Sequence, residues 1–66
     1  MSETLKFKTF CIEQYKNEHR LSGKETVYLF DQYGVLEYLT SFYDVLHSCG
    51  GKYLVQDIAL FIQARQ

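Results

Sequence analysis

Residues 22–34, SGKETVYLFDQYG, carry both a start and a stop for one helix. Ser22 and Glu25 have the capping-box spacing: the hydroxyl accepts from a first-turn amide, and the carboxylate reaches back to the cap amide. Thr26, Leu29, Phe30 and Tyr33 then recur at helical period. Gly34 follows, the residue that most easily takes the left-handed conformation ending a helix. A second apolar-periodic run begins at the next residue, Val35. Two amphipathic helices joined this tightly must bury their apolar faces against further helices. That points to a bundle.

The rest of the chain supplies those helices. A first helix is expected from about Glu3 to Glu18. At 100° per residue, Phe7, Phe10, Cys11 and Tyr15 form its apolar stripe, widened by Leu5 and Ile12. A third is expected from Val35 to His47, with Val35, Leu36, Leu39, Phe42, Tyr43 and Leu46 facing inward and Glu37, Thr40, Asp44 and His47 outside. SCGGKY reads as a loop. Residues 53–55 (YLV) are compatible with an extended piece or with the first turn of a last helix. In that helix Ile58, Phe61 and Ile62 pack down, and Asp57 complements the positive N-terminal end of the dipole. The expected fold is all-α: a small four-helix bundle, three long helices plus one C-terminal, with short connections. No linker, repeat or low-complexity run divides the chain, so residues 1–66 read as a single helical domain.

The formal net charge is −1, and the Lys and Arg residues are scattered rather than gathered on one patch. Nucleic-acid binding through phosphates needs a concentrated positive face. No stretch approaches the apolar length of a membrane span, and MSETLKFKTF has no basic region leading into an apolar core. The chain is therefore expected to lack signal peptide, span and lipid anchor. Two cysteines without a leader suggest a reducing, cytoplasmic setting in which both stay thiols.

The tight turn at Gly34 also invites comparison with a helix-turn-helix. In that register Leu29, Tyr33, Val35 and Tyr43 fit, but Phe30 stands where a small residue lets the helices cross. Thr40 stands where an apolar one is buried. The groove-facing side chains would be Leu36, Glu37, Tyr38, Ser41 and Phe42. None is the Arg, Lys, Asn or Gln that reads guanine or adenine. A nucleic-acid-binding regulator remains the second reading.

Chemistry finds little support in the residue pattern. His47 and Cys49, with Cys11 and His19, are the soft metal ligands, yet His-x-Cys lacks zinc-knuckle spacing and no Cys-x-x-Cys half exists. Cys49 with His47 as nucleophile and base lacks an evident orienting acid and oxyanion hole. Glu37 and Asp44 read as a solvated face, and SGKE lacks the glycine spacing of a phosphate loop. No catalytic, metal or cofactor residue is expected, and no small-molecule substrate.

The tyrosines are more informative. Six Tyr and five Phe, with no Trp, sit in 66 residues, and a domain this small cannot hide them all. A half-buried Tyr joins a large apolar face to a hydroxyl that stays wet, which suits protein interfaces. Tyr28 and Tyr38 lie off the main stripes of their helices, and Tyr38 lies beside Val45. Tyr28, Tyr38 and Val45 are the expected partner-binding residues.

Five segments, FCIEQYK at 10–16, SGKE at 22–25, LFDQYGVLEYL at 29–39, YDVLH at 43–47 and YLVQDIALFI at 53–62, span nearly the whole chain. Together they resemble a family of short bacterial proteins known as a domain of unknown function. The resemblance implies a stand-alone small protein of bacteria and their mobile elements, encoded beside an ADP-ribosyltransferase-like protein. It further implies one half of a two-protein module, the neutralising, antitoxin-like half. It carries no functional residues onto these positions. The expectation is a non-catalytic helical interaction module that binds a protein partner or itself, with a homodimeric scaffold as a third reading.

Overall fold

The computed structural model describes Ser2 to Gln66; Met1, the first residue of the expected domain, lies outside the described residues. Every element is helical: α1 (Glu3–His19), α2 (Gly23–Tyr33), α3 (Val35–Ser41), α4 (Tyr43–Leu46) and α5 (Gly51–Arg65). This is the expected all-α bundle, with the third rod divided in two. The Ser22 hydroxyl accepts from the Glu25 amide at 3.0 Å, and the Glu25 carboxylate accepts from the Ser22 amide at 2.9 Å. Both arms of the capping box are present. Gly34 closes α2 at φ +71°, and α3 starts on the next residue.

The core is a line of buried side chains from each helix: Phe7, Cys11 and Tyr15 on α1, Phe30 on α2, Val35 and Leu39 on α3, Leu46 on α4, and Leu54, Val55, Ile58 and Ile62 on α5. α1 packs mainly on α5 and α2. Aromatic edges tie the pieces together. Phe7 meets Tyr43 edge-on at 5.4 Å, and Tyr15 meets Phe30 edge-on at 5.3 Å. Thr26 is the buried polar side chain, and its hydroxyl donates to the Ser22 carbonyl at 2.9 Å.

Four expectations are corrected. The helix expected over Val35–His47 breaks at Phe42, which leaves the helical region at φ −109°, ψ 21°. Just before the break the Thr40 hydroxyl donates to the Leu36 carbonyl, a back-bond of the kind that bends helices. Phe42 is consequently turned out, half-exposed, instead of inward. Phe10 and Leu5 are likewise exposed, because the α1 contact narrows to the Phe7–Cys11–Tyr15 line. Gly51 and Lys52, read as loop, already belong to α5, so residues 53–55 are helical. With α5 starting at Gly51, Asp57 lies too deep in the helix to meet its dipole end; it is bonded by a side chain from α3.

Candidate interaction surface

Tyr28, Tyr38 and Val45 occupy three different helices and two kinds of environment. Tyr28 on α2 is 70% exposed and Val45 on α4 is 67% exposed. Tyr38 on α3 is half-buried. Its hydroxyl donates to Asp57 Oδ2 at 2.7 Å, and its ring stacks on Phe61 with centroids 4.2 Å apart. Tyr38 is therefore a strut between α3 and α5 as well as part of the surface. Burial, then the Asp57 hydrogen bond and charge, push the Tyr38 phenol up to about 12.

The strut continues outward. Phe42 tilts against Tyr38 at 5.3 Å, and the Arg65 guanidinium lies 3.6 Å over the Phe61 ring. The resulting row, Phe42, Tyr38, Phe61 and Arg65, lines an open groove of about 340 Å³ together with Tyr33, Gly34, Glu37 and Ser41. Sequence reasoning missed Phe42 and Phe61 as surface groups. The helix break carries no proline or glycine signal, and the Tyr38–Asp57 contact joins residues nineteen apart.

A second open groove, about 390 Å³, lies between α1 and α4 and is lined by Glu3, Lys6, Phe7, Phe10, Tyr43, His47 and Cys49. It brings the two residues weighed as a nucleophile and base to one lining. The His47 ring stacks on Tyr43, with Nδ1 2.8 Å from the Tyr43 carbonyl, and the Cys49 thiol points to the Val45 carbonyl at 3.8 Å. Cys11 is fully buried in the core, and burial pushes its thiol up to about 12. Among the described residues no group of three or more His, Cys, Asp or Glu is placed to hold a metal.

On α5, Tyr53 and Leu60 are seven residues apart and both exposed, with Gln56 and Gln63 on the same side. This uncharged stripe is legible from helical phase and was not singled out in the sequence. The bases are unevenly spread along the chain. Residues 25–51 hold Glu25, Asp31, Glu37 and Asp44 and no Lys or Arg, whereas Lys6, Lys8, Lys16, Arg20 and Lys24 all precede them. Among the described residues the ion pairs are Lys6–Glu3 and Lys16–Glu13, both within α1. No helix among the described residues is long and apolar enough to cross a membrane.

These features define a small all-α domain whose open grooves and exposed aromatics lie on its surface rather than in an enclosed cavity. A family model described as "Protein of unknown function (DUF3791)" matches residues 6–65, and the chain belongs to that family. No curated protein and no solved structure matches it.

Proposed function

We propose that this protein is a non-catalytic interaction module that acts in the cytoplasm by binding a partner protein. One observation carries the reading. Leu5, Phe10, Val27, Tyr28, Phe42, Val45, Tyr53 and Leu60 are all large hydrophobic side chains left at least two-fifths exposed on a chain of 66 residues. Large apolar side chains left outside so small a core, the aromatic ones above all, suit contact with a protein partner. Tyr28 and Val45, the most exposed tyrosine and valine, are the residues through which contact is expected, with Tyr38 at the edge of a groove. The sharper form of the proposal, a neutralising partner of an ADP-ribosyltransferase-like protein encoded alongside, draws its support from the family resemblance.

The groove-reader alternative has weaker support. One residue, Gly34, separates α2 from α3, where a helix-turn-helix uses a turn of three or four. α3 also stops after two turns, with Glu37 outward.

Co-expression with the adjacent gene product, followed by size-exclusion chromatography, tests the proposal. Co-elution is expected, and alanine at Tyr28 and Val45 should weaken it. Because both side chains are exposed, melting should stay within about 4 °C of wild type. Separate elution of the two proteins, together with a monomeric native mass for this one, overturns the reading.

A further inference from the structure

Resting on that reading, we propose that the groove between α3 and the C-terminal half of α5 receives an apolar side chain from a basic segment of the partner protein. The groove's rings are held before anything binds. Tyr38 is fixed by its hydrogen bond to Asp57 and its stack on Phe61, and Phe61 is covered in turn by Arg65. Rings already ordered lose little freedom when an anchor docks, which favours affinity at a hot spot. Phe42, turned out by the break between α3 and α4, adds an exposed wall.

The charge around this apolar groove selects the occupant. Glu37 lines it, is exposed, and forms no ion pair among the described residues, while sharing the lining of a neighbouring hollow with Lys8. The stretch from Glu25 to Leu46, which supplies one wall, holds four acids and no Lys or Arg. Glu25 is already engaged in the capping box, whereas Asp31, Glu37 and Asp44 form no ion pair among the described residues. An acidic segment or a phosphate backbone entering from the α3 side would meet repulsion from Glu37. A Lys or Arg near an apolar anchor would meet an unpaired carboxylate. Arg65 is the groove's one cation, and it lies on the opposite, α5 side, over Phe61.

A second copy of the chain fits less well. In a two-fold contact centred on this groove the same patch meets itself, so Glu37 of one copy would face the acidic wall of the other.

The probe is a short amphipathic peptide with a Leu stripe and a Lys face, compared with the same peptide carrying Glu for Lys. Binding to the full chain is followed by amide chemical-shift mapping and titration. The Lys peptide is expected to bind at least tenfold more tightly than the Glu peptide. Its shifts should centre on residues 37–42 and 61–65. Glu37→Lys should weaken it roughly five- to tenfold and Phe42→Ala roughly fivefold. Should Phe42→Ala fail to fold, exposed Glu37 still decides the matter. Equal binding of the two peptides, wild-type affinity in Glu37→Lys, or shifts centred on Tyr53 and Leu60 would each overturn the groove assignment. None of those results touches the broader reading, which stands or falls on co-elution with the neighbouring protein.

Discussion

Replacing Tyr38 with Phe removes one hydroxyl and leaves the stack on Phe61 in place. The lost hydrogen bond runs 2.7 Å to the Asp57 carboxylate. A bond to a charged acceptor contributes about 1.5–3 kcal/mol when buried; here both groups are half-buried, and water can replace the missing donor. Discounted for that screening, the expected loss is about 1 kcal/mol. In a domain of 66 residues that lowers the melting temperature by about 7 °C. The pH dependence adds a second test with a definite sign. The folded phenol is raised from 10 to about 12, so the bond contributes fully below pH 10 and is lost as pH rises toward about 12. Thermal unfolding followed by circular dichroism should therefore show the gap between wild type and Tyr38→Phe closing over that window. Tyr15 is also raised, by burial, but it is present in both proteins and cancels in the difference. A double-mutant cycle with Asp57→Ala should return a coupling of about 1 kcal/mol. A melting point within about 2 °C of wild type at neutral pH, or a gap unchanged through the alkaline window, would refute the strut.

Four other outcomes are expected. Ser22→Ala removes one arm of the capping box and should cost about 1 kcal/mol, read as a melting point lower by about 5–7 °C. The Glu25 carboxyl is held below its ordinary value of 4.5 by the Ser22 amide and then the Ser22 hydroxyl. Its contribution is thus present above that value and fades as pH falls through the lowered one, a fade that Glu25→Gln should abolish in acid unfolding. A thiol reagent at mildly alkaline pH should modify Cys49 and spare Cys11, whose thiol is buried and pushed up to about 12; rapid double modification of the native protein, seen by intact mass, would contradict the core placement. Gly34→Ala meets no steric neighbour but must hold φ +71°, so melting should fall by the equivalent of about 1 kcal/mol, and less for Gly34→Asn.

What could be read from the chain alone was the local chemistry. The Ser22–Glu25 box and the Gly34 stop depend on groups three residues apart or on one backbone conformation, and both stand in the structure as expected. The break at Phe42 was hidden because apolar positions at 35, 39, 42, 43 and 46 run straight through it. The Thr40 back-bond and the packing of Tyr43 on Phe7 and of Leu46 into the core accompany the separation of α4 from α3. Asp57 was misplaced for a related reason. A Gly-Gly pair looks like loop, yet Gly50 caps α5 and Gly51 begins it. Tyr38 lay off the stripe of its helix, which marked it as surface; its bond to a residue nineteen positions away is invisible to periodicity. Tyr28 and Val45, the proposed contact residues, are exposed as expected.

That difference between Tyr38 and the pair Tyr28 and Val45 has a physical origin in the size of the domain. A chain this short buries only about 60% of the surface it exposes when unfolded, so rings that brace its helices keep an edge in solvent. Phe30 alone among the aromatics is fully buried; Phe7, Tyr15 and Tyr38 brace neighbouring helices through edge or stacked contacts. The groove beside Tyr38 is thus built from the same contacts that hold α3 to α5. A partner that filled it and bound only the folded state would stabilise that state by mass action, by about 2.7 kcal/mol at a hundredfold excess over Kd. Weaker binding after a change at Tyr38 therefore mixes lost contact with a loosened scaffold. Changes at Glu37, Tyr28 and Val45, whose side chains brace nothing, report on recognition itself.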